Sequence, residues 1–282
     1  MIFAKKFIGT VAACLMAGAL FVGCGDQPSG EQKTQETAIG MISNLNMSEQ
    51  KINATLQSIN GAALDYHYVC YDSLNAMQMG LNSDSIDEMS VYKSVADYLI
   101  LRDSNLQIDN THKLKLELKD KFCCAVKDDN KALLEAINGA IGSMQNDGTL
   151  EALTKKYITD LKGDEEPEAV ELPSVPGKQT VKVAVTGDLP PLDLIRADGT
   201  PAGFNTAVLA EISKRIEKNF ELVSVDSAAR ASALASGKVD MVFWVRVPSS
   251  TDRFPVDFDR PAGVAVSEQY FIDEIVHVGK NS

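Results

Sequence analysis

Positive charge is scarce in this sequence. Lys and Arg number 27 against 39 Asp and Glu, a formal net charge of -12. A chain that neutralises phosphates needs clustered basic residues, so the balance argues against a nucleic-acid partner. Histidine is scarcer: only His67, His112 and His277 are present, and none has the spacing of zinc ligands. No nucleophile elbow or phosphate loop occurs. The sequence therefore points to no metal, no cofactor and no catalytic residue. Five cysteines in 282 residues exclude a disulfide-dense miniprotein. Beyond the N-terminus no run approaches about 18 apolar residues, the length that spans a bilayer. What is plentiful is apolar residue, 45% of the chain, enough to build a core for one large domain or two lobes.

The N-terminus carries the strongest local signal. Lys5 and Lys6 precede an apolar run from Phe7 to Val22, which ends in Leu20-Phe21-Val22-Gly23-Cys24. This resembles a bacterial lipoprotein signal (residues 1–23) whose cleavage leaves Cys24 as a lipidated N-terminus. Two acyl chains there would anchor the protein where one alone binds only marginally. An ordinary cleaved signal or an N-terminal anchor helix is the alternative. Residues 24–36 are polar and aperiodic and read as a flexible tether. The expected location is the outer face of the cytoplasmic membrane, at a cell surface or in a periplasm. Of the remaining cysteines, Cys70, Cys123 and Cys124 fall in strand-like runs, open either to one disulfide or to packing as buried thiols.

Downstream, helical and strand periods alternate. Ala38–Ser43, His67–Tyr71, Ile86–Val91 and Phe122–Val126 read as strands. Asn46 and Glu49 make a capping-box-like pair ahead of a helix, and Ser73–Leu81 forms another. Leu133, Ile137, Ile141 and Met144 share one face of a helix over 130–144, which Asp147-Gly148 breaks before a last helix, Leu150–Leu161. Residues 162–179 hold three prolines and five acidic residues without a period, a linker. Val181, Val183 and Val185 then open a second α/β run. It continues through a hairpin around Asp198-Gly199, a helix from Asn205 as N-cap, a strand over 220–225, a helix over 227–236 and a strand over 239–245.

Residues 181–244 resemble the first lobe of the amino-acid-type solute-binding proteins of ABC importers. The match rests on Pro190-Pro191, on Gly203-Phe204-Asn205, and on Leu234-x-x-Gly237-x-x-Asp240. The segments Tyr71–Leu99 and Phe122–Ile158 resemble that family's second lobe and closing helices, and Ser267–Lys280 resembles the stretch that crosses between lobes. The resemblance implies an α/β, two-lobed type II periplasmic-binding-protein fold that is circularly permuted. Lobe two comes first (37–130, completed by 271–282), then the C-terminal-type helices (131–161), the linker, and lobe one (180–270). Two truncated copies that swap between chains are the rival arrangement; a monomer is the expectation for the permuted one.

By the same resemblance, an Arg after the third lobe-one strand would grip a ligand carboxylate, and either Arg246 or Arg253 fits. Trp244 ends that strand, as a ring for the ligand or a core residue. Leu192 and Leu189 stand where the family often carries an aromatic, and Asp193 either meets a ligand amine or serves the turn. Tyr92 falls where the family's ammonium-binding Asp would stand and supplies no charge. The Asn44-Leu45-Asn46-Met47 loop, Asn46 at its centre, aims backbone N–H groups at an anion or simply caps a helix. The implied function is capture of a small polar solute, an amino acid or related organic acid, for an ABC permease at the membrane. A solute-sensing accessory lipoprotein and an exported dehydratase-like enzyme on the same scaffold are the alternatives.

Overall fold

A computed structural model describes residues 36–60, 65–109, 118–162, 165–249 and 257–281. The signal, most of the tether, Cys24 and Arg253 lie outside the described residues. The first half of the chain runs β1 (Thr37–Ile42), α1 (Glu49–Asn60), β2 (Tyr66–Tyr71), α2 (Leu74–Asn82), β3 (Glu88–Tyr92), α3 (Lys93–Arg102), β4 (Leu106–Asp109), β5 (Lys119–Lys127), α4 (Lys131–Asn146) and α5 (Thr149–Thr154). The second half runs β6 (Thr180–Val185), β7 (Asp188–Leu189), β8 (Asp193–Ile195), β9 (Pro201–Ala202), α6 (Phe204–Ile216), β10 (Asn219–Ser224), α7 (Arg230–Ala235), β11 (Met241–Pro248), β12 (Val264–Val266) and β13 (Phe271–Lys280).

The fold is mixed α/β, consistent with a type II periplasmic-binding-protein fold, and its main sheet is built on one plan used twice. In one half, β2, β1 and β3 lie side by side and parallel, β13 pairs antiparallel with β3, and β4 pairs antiparallel with β13. In the other, β10, β6 and β11 are parallel, β5 pairs antiparallel with β11, and β12 pairs antiparallel with β5. The antiparallel member of each half arrives from the other. β5 lies inside the 37–130 stretch yet bonds to β11, and β13 follows β12 yet bonds to β3. These two crossing strands also pair with each other, from Phe271 opposite Phe122 to Glu274 opposite Lys119. The parallel strands need helical crossovers, which α1, α2, α6 and α7 supply.

Side-chain period sets these elements. Val181, Val183 and Val185 of β6 are all buried while Thr180 and Lys182 are exposed, an alternation that ends at Ala184, which is buried as well. Leu133, Ile137, Ile141 and Met144 bury one stripe of α4, and Asn130 caps that helix by accepting the Leu133 N–H. Phe122 is fully buried at the junction of the crossing strands, with Phe271 5.4 Å and Trp244 5.9 Å away between ring centroids.

Several local expectations change. Gly203, not Asn205, precedes the first turn of α6; Asn205 is inside the helix and buried, its Oδ1 accepting from the Tyr270 hydroxyl at 3.1 Å. The Asn46–Glu49 capping pair does not form. Ser48 Oγ accepts from Lys51 N at 3.3 Å, while the Glu49 carboxylate turns to the Cys70 N–H at 2.8 Å. Cys70, Cys123 and Cys124 are free thiols. Burial pushes Cys70 up to about 11 and Cys123 up to about 12, and raises Cys124 as well, so all three stay protonated at neutral pH. The 162–179 linker is pinned to the second half: Ala169 bridges Ala202, Val170 N donates to Pro201 O, and Asn219 exchanges hydrogen bonds with Val175.

Candidate functional site

Between the two halves lies a cavity of about 40 Å³, room for one or two waters. One wall is the loop after β1, with Asn44 and Leu45, together with Tyr92 at the end of β3. The other holds Leu189, Arg230, Trp244, Arg246 and Asp259. The walls are drawn together by the chain's own groups. The Asp188 carboxylate accepts the Leu74 N–H at 2.7 Å, the Ser227 N–H reaches Asp72 O at 3.4 Å, and Asp259 caps the loop after β1.

Trp244 is aimed by a break in its strand. The β11–β5 register shifts between Val242 and Val245, and Trp244 sits inside that irregularity at φ 44°, a left-handed conformation unusual for a bulky residue. Its ring meets Tyr92 edge-on at 6.0 Å. The Arg230 guanidinium covers the indole, 4.8 Å from its centroid, and donates to the Trp244 carbonyl at 3.1 Å. Among the described residues, the indole Nε1 has no hydrogen-bond partner.

Arg246 and Asp120 form the charged floor, Nη1 to Oδ2 at 3.8 Å, and the Tyr92 hydroxyl donates to the same Asp120 oxygen at 3.1 Å. Burial raises the Asp120 carboxyl above its usual range, with Arg246 and the Tyr92 hydrogen bond pulling the other way. For Arg246, burial opposes the charge, but Asp120, Tyr92 and Asp259 outweigh it and hold the guanidinium's pKa above its ordinary value. Burial lowers Arg230, with Asp259 and Asp193 opposing that shift.

Arg246, Trp244 and Tyr92 thus come together on one cavity. Asn46 contributes its backbone N–H beside it, while its side chain reaches Arg260 O at 3.4 Å. Asp193 is buried beside the turn, where one oxygen accepts from Thr186 N, Thr186 Oγ1 and Gly187 N at 2.9, 2.9 and 3.1 Å. Leu192 is fully buried in the core. Two lining residues, Arg230 and Asp259, and Asp120 behind Arg246 and Tyr92 carry no sequence signal. Arg230 lies in a small-residue helix with no motif, Asp120 is one acid among many, and Asp259 meets Leu45 across 214 residues of chain. Of the histidines, His277 is buried against Glu88 at 3.1 Å and Tyr68 at 3.3 Å, away from the cavity. Among the described residues, no group of three or more His, Cys, Asp or Glu could hold a metal ion, and no helix is long and apolar enough to cross a membrane.

The family profile of bacterial extracellular solute-binding proteins, family 3, matches residues 181–274. No curated protein sequence matches the chain. Among solved structures, the chain is similar to a ligand-binding component of an ABC-type import system from Staphylococcus aureus with zinc bound. The identity is 10% and the TM-score 0.42, over 86% of this chain and 65% of that one. This chain therefore spans less than two thirds of that protein. It is also similar to a periplasmic substrate-binding protein of an ABC transporter from Coxiella burnetii (12%, TM-score 0.40, over 86% and 84%). A third is the GluR0 ligand-binding core from Nostoc punctiforme in complex with L-glutamate (10%, TM-score 0.37, over 87% and 85%). The family match supports a solute-binding role for the stretch it covers.

Proposed function

We propose that this chain is an extracytoplasmic solute-binding lipoprotein that captures a small polar solute, of the amino-acid or related class, and delivers it to an ABC permease. The observation that carries the reading is the cavity itself. It lies between two half-sheets of one plan, joined by two crossing strands, and collects a guanidinium, an indole and a phenol. Two lobes linked in this way close on a ligand by a hinge motion. The same half-sheet plan supports the permuted order. The family match starts at Val181, next to the start of β6, and ends at Glu274, within the crossing strand β13. The lobe that would follow it occupies the chain before residue 130. The linker at 162–179 then joins the ordinary ends, and the chain is a monomer.

Thermal melts against amino acids, short peptides, small organic anions and neutral amides test this. A solute at about 100 times its dissociation constant adds about 2.7 kcal/mol, a rise of roughly 5–10 °C for a chain of this size. The expected result is one cooperative transition shifted by one compound class. Two unlinked transitions with no shift would refute both the permuted monomer and the binder. The anchor has its own check. Cys24→Ser is expected to move the protein from the detergent phase to the aqueous phase, and retention in detergent would contradict lipidation at Cys24.

A further inference from the structure

The loop after β1 turns three successive backbone N–H groups, those of Leu45, Asn46 and Met47, toward one point ahead of α1. Such a nest at a helix N-terminus is a seat for an anion. It is filled by the chain itself. The Asp259 carboxylate accepts all three, at 2.8, 2.7 and 3.0 Å. Asp259 is 4% exposed and comes from the opposite half of the molecule. The attachment is more than one ion. Phe258, beside it, packs on the small core that includes Ile39, Met41 and Met47, and Arg260 O accepts from the Asn46 side chain. An apolar anchor and a carboxylate therefore dock the same turn.

A second observation concerns what is left. Asn44, 6% exposed, lines the same cavity, and neither atom of its amide is hydrogen-bonded among the described residues. The Trp244 N–H is unpartnered as well. Buried polar groups of this kind are costly until something pairs with them. The charges are already matched, Arg246 by Asp120 and both arginines by the field of Asp259. Apart from the guanidinium N–H groups of Arg246 that Asp120 leaves unused, the unpartnered recognition groups are neutral: two donors and one acceptor on the Asn44 amide and one donor on Trp244.

We propose that Asp259 is a tethered ligand that fills the anion seat and sets specificity, so that the cleft rejects free carboxylates and takes a neutral solute carrying a carboxamide, urea or lactam group. This rests on the solute-binding reading above and replaces its amino-acid class, which carries a free carboxylate, with neutral amides. A solute carboxylate would meet the Asp259 charge at the seat, the like-charge juxtaposition by which sites exclude wrong partners. A planar amide offers the acceptor and donor that the Asn44 amide lacks, and a carbonyl for the indole N–H.

The test uses the full chain, with acetate and acetamide as probes of nearly equal size. Trp244 is the only tryptophan, so its fluorescence reports the cavity. With wild-type protein, acetamide is expected to shift the emission, and acetate is expected to do nothing beyond chloride at matched ionic strength. Asp259→Ala is expected to lower the melting temperature by about 1–8 °C, the range for a lost cap. Acetate, but not chloride, then restores part of that loss. Acetate acting on wild type as strongly as on the variant would overturn the proposal, as would a variant indifferent to acetate. Acetamide without effect on wild type would overturn the neutral-solute half. Should Asp259→Ala not fold, the amide resonances of Leu45, Asn46 and Met47 in wild type decide the matter. They stay fixed under acetate if Asp259 holds the seat, and their joint movement refutes it. If no compound of the wider panel binds wild type, the solute-binding reading fails, while the acetate response of the variant still judges the seat.

Discussion

Gly203→Ala is expected to cost on the order of 3–5 kcal/mol and to lower the melting temperature by about 6–20 °C. Gly203 has φ 95° and ψ 175°, a backbone region open essentially to glycine alone. An added Cβ would stand 2.6 Å from Pro191 O and 2.9 Å from Leu192 O. Neither carbonyl has room to yield, because Pro191 O accepts from Phe204 N and Leu192 O from Asn205 N, and these bonds start α6. Leu192 is fully buried and leads straight into β8, so displacing its backbone disturbs the wall that carries Leu189. Gly199→Ala is the control. Gly199 also has positive φ, at 83°, but its missing Cβ points into open space. It should lose only the backbone preference, about 1 kcal/mol. Urea denaturation of both variants measures the difference; equal losses would show that the Gly203 contact is not the cause.

That glycine marks how far the sequence could be read. The Gly203-Phe204-Asn205 triplet is visible as a motif, and it does open a helix. Its mechanism is not visible: the pattern assigns the cap to Asn205, whereas the glycine's backbone turns the chain and Asn205 is spent on Tyr270 inside the core. The valines of β6 and the apolar stripe of α4 announce their elements because burial on one face imposes a period. β4 has four residues, and β7 and β9 two each, too short for a period to show. The site divides in the same way. Tyr92 ends β3, a place where open α/β folds put their ligands, whereas Trp244 and Arg246 lie within β11, at and just past its register shift; all three were legible as candidates. The Asn44–Met47 loop was legible as an anion seat. Its occupant was not, because Asp259 meets Leu45 from 214 residues further along the chain, a contact that only the tertiary fold creates. Asp193 has a carboxylate in the right neighbourhood, but the turn's own N–H groups claim it first.

Arg246→Ala should separate the two tasks of that guanidinium, and pH is the lever. Removing it leaves Asp120 buried beside Tyr92 without its countercharge, and breaking a buried pair in this way costs about 3–5 kcal/mol. The size of the loss depends on whether Asp120 is ionised. Burial already raises its pKa in the folded protein, and Arg246 restrains that rise, so the variant's Asp120 is raised further. A carboxyl that holds its proton more tightly folded than unfolded makes stability fall as pH rises, since the native state then binds more protons. The deficit of Arg246→Ala should therefore be small near the ordinary carboxylate range, at about pH 4. It grows as pH rises toward the folded pKa of Asp120 and levels off above it. A deficit that shrank with rising pH would contradict the buried-pair account. Adding Asp120→Asn removes the unpaired charge and is expected to recover most of the stability and to flatten the pH dependence. It does not return the guanidinium to the cavity, so the solute-driven rise in melting temperature should stay lost. If the double variant regains that rise, Arg246 merely neutralises Asp120. If it regains stability alone, the guanidinium holds the solute.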